Sequence, residues 1–118
     1  MRIKSVALTA LILAVFTAGA WAQQFAEVTT ISPAITGEVI DAAWSDYDND
    51  GDKDIAVVVG GHARLFRNNS GIFSDVSDSS SVTVTGQSIS WADYDNDGDA
   101  DLFVLKDDEN TLYRNNGN

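Results

Sequence analysis

The sequence predicts an all-β protein built from repeated units of four short antiparallel strands. Three observations carry that prediction. The seven residues DYDNDGD occur twice, at Asp46–Asp52 and Asp93–Asp99, 47 residues apart. Ungapped alignment at that period continues beyond both copies, and Trp44–Asn69 against Trp91–Asn116 gives 14 identities in 26 positions. No helical periodicity follows Ala22, whereas β-branched and alternating runs recur. A period of this size marks solenoids, propellers or arrays.

The elements follow in chain order. Residues 1–22 begin with Arg2 and Lys4, continue as an apolar run from Val6 to Ala18 and end on Ala20-Trp21-Ala22. That is the layout of a secretory signal peptide, with cleavage expected after Ala22. The run falls short of the roughly 20 apolar residues that span a bilayer. No cysteine near the cut could carry a lipid anchor. The expected location is therefore secreted, periplasmic or extracellular. Phe25–Thr29 (FAEVT) resembles the later FSDVS at 73–77, one residue out of register, and reads as a lone outer strand within a lead-in over 23–38.

The first full unit covers 39–78. EVIDAAW (38–44) leads into the acidic segment, and DIAVVV (54–59) leaves it as a β-branched strand. ARLFRN (63–68) alternates apolar and polar residues, NNSG supplies turn chemistry, and IFSDVS (72–77) forms a fourth strand. Four such strands per repeat are the layout of a β-propeller blade. Residues 79–86, within the Ser/Thr/Gly-rich DSSSVTVTGQ, read as a surface linker, and 87–118 as a second, incomplete blade.

Net charge narrows the partners. The chain carries −11, and losing residues 1–22 with their two positive charges takes it to −13. Nucleic acids and anionic membranes need a basic footprint that is missing here. Bound cations are the expected counterpart. With no cysteine, no disulfide can staple this small domain.

The acidic segments are the candidate sites. Carboxylates at loop positions 1, 3 and 5 with glycine at 6 describe a chain folding around one hard cation. These are Asp46, Asp48, Asp50 and Gly51 in the first copy, and Asp93, Asp95, Asp97 and Gly98 in the second. Oxygen-only donors favour Ca2+ over zinc or copper, and Mg2+ demands tighter geometry. Position 12 is Val57 or Val104 where an EF-hand needs glutamate, and the flanks are strands. The last side-chain ligand is therefore expected at position 9, Asp54 and Asp101, with the carbonyls of Asp52 and Asp99 at position 7. Two Ca2+ sites are expected. Two identical copies, each between strands, argue against mere solvated turns.

These residues resemble a known family. The stretch DYDNDGDKDIAVVV…RLFRNNSGIFSDVS is similar to the FG-GAP/VCBS repeat, the calcium-binding blade of integrin-α-type β-propellers. FAEV, AAWSDYDNDGD and NTLYRNNG together look most like bacterial VCBS-repeat proteins allied to the cartilage acidic protein (ASPIC/UnbV-associated) group. The resemblance implies a seven-bladed propeller with Ca2+ in the loop joining the first two strands of a blade. It carries the metal positions onto Asp46, Asp48, Asp50, Asp52 and Asp54, and onto Asp93, Asp95, Asp97, Asp99 and Asp101. About two blades are present. The expectation is a truncated gene or fragment, or a subunit that assembles its ring from several chains.

Other residues point to no chemistry. Trp44 and Trp91 read as blade-core packing beside the loops. His62, the single histidine, reads as a surface loop residue. Asn68-Asn69-Ser70 matches a glycosylation sequon, yet its repeat partner NNGN points to turns. The serines between 77 and 81 lack a base at any useful spacing. The expected function is thus binding or adhesion, without enzymatic activity. The expected partner is a protein or glycan at the cell surface or outside the cell, with self-association as a further outcome of open blade edges. The alternative is the non-catalytic propeller portion of a truncated carbohydrate-active enzyme.

Overall fold

A computed structural model describes residues 25–26 and 35–117. The signal peptide expected at 1–22, and the outer strand expected at Phe25–Thr29 apart from its first two residues, lie outside these residues. The described residues are all-β and form two antiparallel sheets. The first takes β1 (Val39–Ser45), β2 (Asp54–Val59), β3 (His62–Asn69) and β4 (Ile72–Asp75) in spatial order β1-β2-β3-β4. The second takes β5 (Ser88–Ala92), β6 (Asp101–Leu105) and β7 (Thr111–Tyr113) in the order β5-β6-β7. Each is a meander of neighbouring strands, as expected of propeller blades.

Local chemistry explains the meander. β2 is a run of β-branched residues buried along its whole length, which suits a central strand covered on both faces. Its neighbours hold it in register, Trp44 opposite Ile55 on one side and Ile55 opposite Phe66 on the other. One irregularity, between Val39 and Asp41, leaves Ile40 in a bulge at the strand's exposed end. Gly60 and Gly61 close the β2–β3 hairpin, both with positive φ (57° and 76°), in the manner of a type I′ turn. Ser70-Gly71 closes β3–β4 the same way, at φ 52° and 88°. His62 therefore opens strand β3, paired with Val59, and does not sit in the connection. The two-glycine turn is tight enough to start the strand one residue earlier than the alternation of ARLFRN suggests.

The alternate residues of β2 feed two cores. Ala56 and Val58 join Ala63 and Leu65 against Ile89, Leu102 and Val104 of the second sheet. Ile55, Val57 and Val59 join Phe66 on the opposite face, beneath Ile35 and Phe73. The first cluster is the interface between blades. Apolar burial of this kind stabilises by roughly 25 cal/mol per Å² removed from water.

The linker contributes to that interface. Its composition suggests a surface connection, but Val82 is buried in the inter-blade core and Val84 packs beside it. Its backbone is pinned as well: Ala63 N–H donates to Val84 O at 2.9 Å and Gln87 N–H to Leu105 O at 2.8 Å. Gly86 passes so close to Val104 that an added Cβ would lie 2.7 Å from its Cγ1. The Val-Thr-Val alternation, not the serine content, decides where this segment goes.

Ser77 shows how the first sheet closes. It is buried, accepts the Leu65 N–H at 2.9 Å and donates its hydroxyl to Asp75 Oδ1 at 2.5 Å. Asp75 also pairs with Arg64. Ser77 is thus a structural hydroxyl that extends the β3–β4 ladder.

A carboxylate clamps the blades from the first strand. Asp41 Oδ2 accepts the Ser88 hydroxyl at 2.6 Å and the Ile89 N–H at 3.0 Å. The Ser88 bond, followed by the Ile89 bond, holds the Asp41 carboxyl below the ordinary value of 3.8. The stabilisation is therefore present above pH 3.8 and is lost as pH falls through the lower folded value. Asp41→Ala is expected to lower unfolding free energy by about 1–3 kcal/mol at neutral pH. In urea titrations the gap between variant and wild type should shrink as pH falls below 3.8.

Candidate metal centre

Both acidic loops join the first strand of a sheet to the second. Residues 46–53 connect β1 to β2, and residues 93–100 connect β5 to β6. The pairs Ser45–Asp54 and Ala92–Asp101 close the two loops at their bases. The backbones follow the same path: Asn49 and Asn96 have φ of 58° and 60°, Gly51 and Gly98 of 95° and 96°. Asparagine is one of few residues that enter the left-handed region cheaply. At φ near +95° a side chain is strained even though the space around both glycines is open.

Backbone donors organise the carboxylates. Asp46 Oδ2 accepts the Gly51 N–H at 3.0 Å and Asp50 Oδ1 the Asp52 N–H at 2.9 Å. In the second loop Asp93 accepts from Gly98 at 3.0 Å and from Asp97 at 3.1 Å, and Asp97 accepts from Asp99 at 3.0 Å. Carboxylate oxygens of Asp46, Asp48 and Asp50 lie within 4.8 Å of one another, as do those of Asp93, Asp95 and Asp101. Either cluster can hold a metal ion.

The remaining aspartates singled out by the repeat have other partners. Asp52 Oδ2 accepts the Ser70 N–H at 2.7 Å, tying the loop to the β3–β4 turn. Asp99 Oδ1 accepts the Asn49 amide at 2.8 Å, joining the two loops across the blades. Asp97 pairs with Arg114 at 3.3 Å. Its carboxyl lies below the ordinary range, first through the Asp99 N–H and then through Arg114.

Asp54 and Asp101 are fully buried at the feet of the loops. Asp54 accepts the N–H groups of Tyr47 at 3.0 Å and Asn68 at 2.7 Å. Asp101 repeats this with Tyr94 at 3.1 Å and Asn115 at 2.7 Å. Position 9 is thus a clamp between the loop and the end of β3 in the first blade, and between the loop and the chain just past β7 in the second. Burial pushes the Asp54 carboxyl upward; the two N–H groups oppose this, and the charges of Asp48 and Asp50 reinforce it. The recurring Arg-Asn-Asn was the available signal for the clamp, since its first asparagine supplies the donor both times.

The loops differ in charge and cover. Asp46 Oδ1 and Asp48 Oδ1 are buried without a hydrogen-bond partner. Among the described residues no cation pairs with the first loop, whereas Arg114 reaches Asp95 at 2.9 Å and Asp97 in the second. Asp46 and Asp48 are also half-buried, while Asp93 and Asp95 are exposed. The role of Arg114 was not legible in the sequence, because Arg67 stands at the same repeat position without that pairing.

The tryptophans also part company. Trp91 packs between the blades, stacked on Tyr47 with ring centroids 6.2 Å apart, and donates Nε1–H to Ala43 O at 3.2 Å. Trp44 was expected in a blade core, yet it lies exposed, edge-on to Phe73. The difference is the neighbour: Trp91 has a preceding blade to cover it. Beside Trp91 a cleft of about 360 Å³ opens between the blades, lined by Tyr47, Tyr113, Arg114 and Asn115 among others.

Removing the clamp charge tests this geometry. Asp54→Asn turns an amide donor toward one of two backbone N–H groups, and Asp101→Asn does the same. Each is expected to lower unfolding free energy by about 1–3 kcal/mol, from one buried donor left unpaired. Urea denaturation of metal-free protein measures it. Asp50→Asn, at an exposed oxygen pair, should leave metal-free stability within about 0.5 kcal/mol of wild type.

Comparison with known proteins places this geometry in a family. No curated protein and no solved structure matches the chain. A family model for the FG-GAP-like repeat matches residues 46–104, half of the chain, from the first acidic loop through the second and into β6. With two such loops on two antiparallel sheets, the chain belongs to the FG-GAP-like repeat family.

Proposed function

We propose that this chain is an exported, calcium-binding β-propeller repeat module that acts in binding or adhesion, with kin among the VCBS-repeat proteins of the cartilage acidic protein group. Ca2+ is the element that makes its blades rigid. The observation that carries the reading is the pair of buried oxygens without partners, Asp46 Oδ1 and Asp48 Oδ1, in a cluster with Asp50. A buried carboxylate oxygen lacking a donor costs several kcal/mol unless a cation meets it. A donor set of oxygen alone suits Ca2+.

The chain's own residues do the positioning. Asp46, Asp48 and Asp50 would hold one ion and Asp93, Asp95 and Asp101 a second, while Asp54 keeps the first loop anchored to β3. When bound, the ion neutralises the clustered carboxylates and ties the first two strands of the blade together, which offsets part of the ordering entropy. The module carries no catalytic group on this reading. The inter-blade cleft, with tyrosine rings, an arginine and an asparagine amide, has the makeup that suits a polar ligand such as a glycan.

Calcium at about one hundred times its dissociation constant stabilises a folded site by about 2.7 kcal/mol. For a domain this small that raises Tm by on the order of 10–20 °C. Differential scanning calorimetry in CaCl2 and then in excess EDTA measures the shift; the same Tm in both sinks the proposal. The two loops should also be unequal. The first is expected to bind more tightly, because Arg114 already neutralises part of the second. Arg114→Gln should tighten the weaker site about tenfold in calorimetric titration, equivalent to about 1.4 kcal/mol, and leave the stronger one unchanged.

A further inference from the structure

We propose that the outward face of the second sheet is a docking surface for the first sheet of a second copy of this chain. The proposal rests on blade geometry and goes beyond the calcium reading. The internal interface supplies the pattern. There the face carrying Ala56, Val58 and Leu65 is buried against Ile89, Leu102 and Val104. At its rim Tyr47 stacks on Trp91, and the Asn115 amide donates to Tyr47 O at 2.7 Å.

Moving each donor-face residue along by one repeat of 47 gives its counterpart on the second sheet. Ala56, Val58 and Leu65 become Phe103, Leu105 and Leu112, and Tyr47 becomes Tyr94. The first three positions are buried in blade one, at 1%, 0% and 2% exposure. Their counterparts are exposed at 38%, 41% and 46%, and Tyr94 at 52%. A contiguous apolar sheet face of this kind marks an interaction site. Two of its residues, Phe103 and Leu105, are larger than Ala56 and Val58 at the same positions of the buried version, which adds to the apolar area left exposed.

The complementary face is on the same chain. Moving Trp91 and Asn115 back by one repeat gives Trp44, exposed at 56%, and Asn68. Ile55 and Val57 on that side are already covered by Ile35 and Phe73. A docking copy therefore seats along β1, where Ile40 and Trp44 are exposed, just as β5 carries Ile89 and Trp91 onto the first blade. Donor and acceptor faces differ, so the contact is head-to-tail and propagates beyond two copies, by ring or chain. It would also partly cover Asp93 and Asp95 of the second acidic loop, as Asp46 and Asp48 of the first are now partly covered.

Sedimentation equilibrium of the purified protein at moderate salt tests the proposal. The wild-type average mass is expected to rise with concentration past that of a dimer. Phe103→Lys, on the exposed face of β6, should stay at one copy, and Ile72→Lys, exposed on β4, should associate as wild type does. Phe103→Lys still presents Trp44, so an excess added to wild type should cap the assemblies and lower the wild-type average mass. A wild-type mass of one copy throughout overturns the proposal, as does association of Phe103→Lys equal to wild type, or a failure to cap. Because each arm is read against wild type in the same buffer, a failed calcium response leaves this result interpretable.

Discussion

Each blade hangs from one buried carboxylate. Asp54 and Asp101 sit where β1 turns into β2 and β5 into β6, and each gathers one N–H from its loop and one from the chain at the end of the third strand, Asn68, or just past it, Asn115. Two hydrogen bonds to a buried charge are worth more than neutral ones, and they join three strands at one point. The rest of the acidic loop is draped from that anchor. Asp46 and Asp50 bind their own loop's amides, and Asp52 reaches the β3–β4 turn. The crowding of like charges is therefore partly resolved by backbone donors. What they leave over, two bare oxygens in the first loop, is a specific deficit. The second loop meets part of the same deficit with Arg114.

The fold was largely legible because its information is periodic. Exact repetition of the acidic loop fixed where two strands must meet, and the β-branched run of 54–59 marked the central strand of the first sheet. The all-β class followed from those signals. His62 departs from expectation because of its tight turn, whereas the linker and Trp44 share another cause: burial between blades is set by a neighbour and not by the segment itself. The linker looks like a solvated loop by composition, yet Val82 is buried because a second sheet lies over it. Trp44 and Trp91 precede identical acidic loops, yet one is exposed and the other packs between the blades, for the same reason.

The candidate site was legible to a similar depth. Spacing identified the ten aspartates, but only the folded chain sorts them into clusters, clamps and ties. Asp54 and Asp101 look like two more ligands in a string; burial beneath Asn68 and Asn115 makes both of them clamps, a task that Asp101 combines with its place in the second cluster. Asp99 likewise looks like a loop acid and instead holds Asn49 of the other blade. Arg67 and Arg114 are the converse case, matched in sequence and unmatched in contact.

Three of the bonds that cross between the blades span one repeat length or one residue more. Asp41 to Ser88 spans 47 residues, and Asp41 to Ile89 and Trp91 to Ala43 span 48. Such a protein can be lengthened by duplicating a whole unit, since every new copy arrives with both halves of the joint in phase. An insertion of any other size inside the unit would misalign polar partners and aromatic stack together. Gene-level slippage is thus filtered by geometry, and array length is free to vary while unit length is not. The joint also sets cooperativity, because neighbouring units that share a core tend to melt as one, with stability that adds unit by unit along the array.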